Sequence, residues 1–142
     1  MNYTEKYQEI IKNAFAISLA TSVDNKANVR CVSCCFDSAK PSVIYFSTNR
    51  NMPKVAEFAK NNEIAFTTIP VPADGHIHVR CQKATVEKSD FTMNELKDMF
   101  IEQIPGFEKT LEMAGKFLDV YEIHVKEAIV VLGPMQTGTV TF

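Results

Sequence analysis

Apolar positions recur along this chain with two periods, and each switch between them marks an element. Tyr7, Ile10, Ile11 and Ala14 share one face of a short helix that Thr4 is placed to cap. From Phe15 to Val23 the pattern becomes a strand, with Ile17, Leu19 and Thr21 on one side. Asp24-Asn25-Lys26 is a turn, and Asn28 to Phe36 reads as the antiparallel return strand. A second turn over Asp37 to Pro41 leads to Val43–Thr48, whose β-branched and aromatic residues suit a buried strand. Asn49, Arg50 and Asn51 interrupt it. From Met52 the period is helical, with Val55, Phe58 and Ala59 at helix spacing, until Asn61 and Asn62.

Glu63 to Val71 returns to strand, Pro72-Ala73-Asp74-Gly75 makes a tight turn, and His76 to Lys88 is a long strand. That strand is bent or bulged near Gln82-Lys83, where the alternation slips. Thr92 with Glu95 forms a capping box for a helix through Leu96, Met99 and Phe100. Pro105-Gly106 stops it, Glu108 to Phe117 reads as one more helical segment, and Tyr121 to Leu132 alternates again. Gly133-Pro134 is a break before a short last strand, Thr137 to Phe142. Six or seven strands joined mostly by short turns, with helices interposed late, predict a mainly β antiparallel barrel with peripheral helices. Only one strand-helix-strand unit is present and no Gly-rich fingerprint follows a strand, so a doubly wound sheet is disfavoured.

Length changes the picture only in making residues 1–142 one domain with a real core. Fifteen Lys and Arg against seventeen Asp and Glu give a balanced surface, with no footprint for nucleic acid. No apolar run reaches the length of a membrane span, and the start MNYTEKYQE is too polar for a signal peptide. The expectation is a cytoplasmic protein with reduced thiols.

Four constellations carry possible chemistry. Pro53 fits a first helical turn, but Lys54 puts a cation beside the positive end of the helix. Lys54 is either a solvated surface lysine or, with the free backbone N–H groups and Arg50, a phosphate holder. Arg30 stands in VRCVSCCF, apolar or small on both faces, where a charge needs a partner. That partner is either a carboxylate such as Asp37 or Glu63, or a ligand anion shared with Lys54. Cys31, Cys34 and Cys35 fall within one strand, so Cys31 and Cys34 point to opposite faces. With Cys81 they read as small buried hydrophobes, neither a zinc set nor a redox pair. His76, His78 and Arg80 share a polar strand face in solvent or at a dimer interface, with no third metal ligand nearby. His124 reads as structural, Asp37, Asp74 and Glu87 as turn or surface carboxylates, and no metal site is read.

Taken in order, FAISLATSVDNKANVRCVSCCFD, VIYFSTNRNMPKVAEFAKNNEIAFTTI and HIHVRCQKATVE resemble the FMN-binding split barrel of the pyridoxamine 5'-phosphate oxidase-like proteins. The shared order is a strand ending L-A-T, an R-x-V strand, a strand ending F-S-T, a lysine opening a helix, and a later V-R strand. The resemblance covers Ala14 to Glu87 well and the remainder in element order only.

The resemblance implies FMN as cofactor, with Arg30 on its phosphate or ribityl chain and Lys54 on the phosphate. It places the backbone of Cys31, Val32 and Ser33 along the isoalloxazine, with Ser47 and Thr48 facing the flavin. His78 matches a polar position at the ring by place rather than by residue type. It also implies a homodimer with the flavin at the subunit interface, and an oxidoreductase acting on a small molecule. A carrier of FMN or haem without turnover is the alternative, and no side chain is expected to act as a general acid or base. The name-giving oxidase binds pyridoxal phosphate through a segment with tryptophan, arginine and histidine, and this chain has no Trp. Pyridoxamine-phosphate oxidation is therefore not expected, and the short form is similar to general-stress and nitroimidazole-resistance-type members.

Overall fold

The computed structural model describes residues 2–70 and 75–142, so the turn expected at Pro72-Ala73-Asp74 lies outside the described residues. The described residues form a first helix, α1 (Tyr3–Asn13), then β1 (Ala16–Val23), β2 (Lys26–Phe36) and β3 (Val43–Asn49). After α2 (Pro53–Lys60) come β4 (Glu63–Thr68) and β5 (His78–Lys88). The chain finishes with α3 (Met93–Gln103), α4 (Phe107–Ala114), β6 (Leu118–Gly133) and β7 (Gln136–Thr141).

All strand pairs are antiparallel, in the order β3-β2-β1-β4-β5-β6-β7, and β3 also pairs with β6. Six strands therefore close a ring and β7 lies beside it on β6, the barrel that the strand pattern predicts. Closure pairs β3 with β6 and so removes much of the free edge that an open sheet of this length would present, apart from β7 and the first half of β2.

Local chemistry explains most boundaries. Asp24 and Asn25 adopt φ of 52° and 64°, the left-handed pair of a two-residue hairpin between β1 and β2. The cap of α1 is Asn2 rather than Thr4. Its side-chain oxygen accepts from Glu5 N at 3.2 Å, whereas Thr4 already lies inside the first turn. Thr92 and Glu95 do form the reciprocal capping box of α3. The last helix begins at Phe107 and passes through a single 3-10 turn at Gly115–Phe117. β6 starts three residues before the expected Tyr121, because Leu118 already pairs with Asn49 of β3. The bulge in β5 falls between Arg80 and Ala84, where the register shifts twice.

Two cores result. Inside the ring, Ile17, Leu19, Val32, Cys34, Ile44, Phe46, Val79 and Ile123 meet Tyr7 and Ile11 of α1 and Phe58 of α2. Outside it, Cys35, Val43, Tyr45 and Val120 pack beneath Met93 and Phe100 of α3 and Phe107 of α4. Gln103 ties α3 down by completing the end of β2: its Oε1 accepts from Phe36 N and its Nε2 donates to Phe36 O, both at 2.8 Å. No helix among the described residues is long and apolar enough to cross a membrane.

Three thiols and three phenols are buried in these cores, which gives the fold a pH dependence. Burial pushes Cys34 from its ordinary 9.0 up to about 12 and Cys81 up to about 11, and it raises Cys35 and Tyr7 as well. In the unfolded chain both thiols lose their protons near pH 9.0, while the folded chain keeps them. The native state then binds more protons than the unfolded one, so stability falls as pH rises above about 9. Urea midpoints should drop between about pH 8 and about pH 10.5. A flat profile across that window would show the thiols to be solvated.

Candidate functional site

The pairing of β2 with β3 covers only Cys34–Phe36 against Ile44–Phe46. The earlier half of β2 is paired with β1 alone, which leaves an opening in the wall. α2 lies over that opening. Asn49 Oδ1 accepts from Asn51 N at 2.9 Å, turning the chain sharply after β3, and Pro53 pre-sets the first helical turn. On one side Phe58 packs against Phe46 and Tyr121, with ring centroids 5.9 and 5.5 Å away. On the other side Glu57 reaches β1 and β2.

Arg30 meets Glu57 there. Its Nη2 lies 2.8 Å from Glu57 Oε1 and 3.0 Å from Thr21 Oγ1, and its Nη1 donates to Leu19 O at 3.2 Å. Thr21, itself buried, donates to Glu57 Oε2 at 2.9 Å, and Asn28 Nδ2 approaches Oε1 at 3.5 Å. The side chains of Arg30 and Glu57 are 19% and 20% exposed, so both charges are largely withdrawn from water. The partner carboxylate is therefore Glu57, not Asp37 or Glu63. Asp37 caps its own turn on Ala39 N, and Glu63 is exposed at the start of β4.

Lys54 stands one helical turn before Glu57 and is half-buried. Its amine is held below the usual lysine range by burial first and by the charge of Arg30 second, with Glu57 opposing. Arg30 and Lys54 against Glu57 leave one uncompensated positive charge. The end of α2 beside them is open: Met52 provides no side-chain cap, and the first turn carries no acidic residue. Met52 N donates to Asn49 O at 3.0 Å, Val55 N donates to Met52 O at 3.1 Å, and Pro53 has no N–H. The backbone donor on offer is therefore that of Lys54, which with an amine and a guanidinium suits an anion.

The remaining expected residues divide by strand face. Val32 is buried in the ring with Arg30 on the same parity, whereas Cys31 and Ser33 face outward and are exposed. Thr48 is buried towards the ring, and Ser47 is half-buried on the opposite side of β3. His78 begins β5 opposite Val131 of β6, its Nδ1 on the carbonyl of His76. β1 and β4 intervene between β2 and β5 on one side and β3 and β6 on the other, so His78 belongs to the strand opposite β2 in the ring. Within one chain the fold brings together Arg30, Lys54 and the inner face of β2, but not His78.

Two surface hollows flank these positions. One, of about 310 Å³, crosses the outward face of β1, β4, β5 and β6 over a floor of Ser18, Ala20, Ala65 and Thr67. Cys31 Sγ adjoins it, 3.9 Å from Ser18 Oγ. The other, of about 410 Å³, is bounded by His78, Arg80, Val131, Pro134 and Thr137. Sequence reasoning missed Glu57 and Thr21 as parts of the site. Only the spacing of Glu57 three residues after Lys54, on the same helix face, hinted at the first.

The sequence profile of the Pyridoxamine 5'-phosphate oxidase-like proteins matches residues 10–136, nearly the whole of this fold. The chain belongs to that family. No curated protein matches the sequence. Among solved structures, the family fold recurs in a heme binding protein from Mycobacterium smegmatis, with TM-score 0.80 at 10% identity. That match covers 99% of this chain but 58% of the other, so this chain spans a little over half its length. A protein from Clostridium acetobutylicum related to general stress protein 26 gives TM-score 0.74 at 14% identity, covering 99% and 94%. A FAD-binding protein from Mesorhizobium loti gives 0.65 at 10%, covering 95% and 92%. At such identities the likeness is one of fold, and it carries no ligand across by itself.

Proposed function

We propose that this family member binds FMN and acts as an oxidoreductase on a small molecule at the flavin face. The observation that carries the proposal is the open end of α2, where Lys54 and Arg30 leave one positive charge uncompensated beside the backbone N–H of Lys54. A phosphate monoester relieves the repulsion between the two cations and accepts from the helix end. Lys54 is the phosphate's direct partner. Arg30, already engaged by Glu57 and Thr21, chiefly holds α2 against β2 and adds to the field. The exposed backbone edge and outward face of Cys31–Ser33 and the small-residue floor beside them offer a flat wall for the ring. FMN would supply hydride or electron exchange, while the protein sets its position and surroundings. His78, three strands round the barrel from β2, meets the ring only where the flavin lies between two copies of the chain, so the site is that of a homodimer.

A second reading, cofactor carriage without turnover, rests on the hollow where the His78 imidazole and the Arg80 cation share a rim with Val131 and Pro134. An imidazole ligand, an apolar wall and a cation for a carboxylate are what haem requires.

The test is the visible spectrum of the purified full chain after incubation with FMN and desalting. Retained flavin bands are expected, with affinity at least about tenfold weaker in Lys54→Ala, the worth of one charged hydrogen bond. Flavin that washes through at stoichiometric concentration would overturn the reading. Retention of added hemin instead, lost in His78→Ala, would establish the second.

A further inference from the structure

The outward face of β5 and β6 carries three ligand-type side chains that the site above does not use. Glu87 and Glu122 are direct cross-strand partners, and His124 lies two residues from Glu122 on the same face. Like charges directly opposite one another repel. Both carboxylates nevertheless turn towards one point, with His124 Nε2 2.9 Å from an oxygen of each. The three ligand atoms all lie within 4.8 Å of one another. One ring nitrogen carries at most one proton, so it cannot give a straight hydrogen bond to both.

Among the described residues, neither carboxylate pairs with a lysine or arginine. Lys88 is drawn to Asp119 at 3.8 Å, and Lys40 to the Tyr45 hydroxyl at 3.5 Å. Glu122, only 16% exposed, is fixed from behind: Ser89 Oγ donates to its Oε2 at 2.6 Å, leaving Oε1 to face His124. Ser89 is itself anchored by its N–H on Val120 O at 2.8 Å.

We propose that Glu87, Glu122 and His124 bind one Zn²⁺-type divalent cation that clamps β5 to β6. One neutral imidazole nitrogen and two carboxylate oxygens are a donor set that zinc accepts, with water completing the shell. Metal–ligand bonds of about 2.0–2.2 Å place the ion among the three atoms after small side-chain shifts. The two carboxylate charges cancel that of the ion, and Ser89 is the outer hydrogen bond that orients a ligand. The clamp lies just before the chain leaves β5 for α3.

The experiment uses the full chain, stripped with EDTA, desalted and titrated with Zn²⁺ against a chromophoric chelator. One equivalent should bind and raise Tm. His124→Ala should abolish stoichiometric binding, and Ser89→Ala should weaken it about 10–100-fold. Circular dichroism without metal checks that the variants fold. Failure of the wild-type chain to bind, binding unchanged in His124→Ala, or binding lost in His78→Ala instead would each overturn the site.

Discussion

Replacing Phe46 by alanine should lower stability by about 3–5 kcal/mol, a large part of what a domain of this size possesses. Phe46 is fully buried at the place where β3 pairs with both neighbours, opposite Cys34 of β2 and Tyr121 of β6. Its ring stacks on Tyr121 at 5.7 Å and meets Phe58 edge-on at 5.9 Å. Truncation therefore loses the transfer free energy of a phenyl ring, opens a cavity, and removes two aromatic pairs worth about 0.5–1.5 kcal/mol each. Because Phe58 is the apolar anchor of α2, the same variant should loosen Lys54 and weaken flavin retention. Urea unfolding measures the first effect and a desalting spectrum the second. A loss below about 1 kcal/mol would show that the three rings are not packed as a unit.

Arg30→Ala should cost about 2–3 kcal/mol. Removing one member of a fully buried ion pair costs about 3–5 kcal/mol, and the residual solvent contact of Arg30 and Glu57 lowers that figure. The variant strands Glu57 beside Thr21 and Asn28 with no cation engaged. Neutralising it as well, in Arg30→Ala with Glu57→Gln, should recover about 1 kcal/mol or more. Additive losses in that double-mutant cycle would mean that the pair is not coupled. The same result separates two roles that Arg30 combines: a flavin defect in Arg30→Ala includes undocking of α2, whereas one in Lys54→Ala does not.

The sequence specifies structure directly wherever local chemistry governs. The hairpin at Asp24-Asn25, the Thr92–Glu95 capping box and the bulge in β5 all depend on residues within a few positions of one another. The first cap is Asn2 rather than Thr4 because both have side-chain oxygens, and only the path of the backbone decides which one reaches a free N–H. β6 starts at Leu118 rather than at Tyr121, since Leu118 to Val120 become strand through pairing with β3 rather than through alternation.

By itself the sequence determined the ring of strands, the helix opened by Lys54, and the buried charge at Arg30 that required a partner. These follow from periodicity and from the cost of burying a charge, and both are local properties. The tertiary structure alone decided that the partner is Glu57, because alternation fixes the face of a side chain but not which element will lie over it. It also decided that His78 stands apart from Arg30, and that Glu87, Glu122 and His124 converge. Those relations are set by strand order and register, and register is an agreement between distant segments that neither segment carries alone.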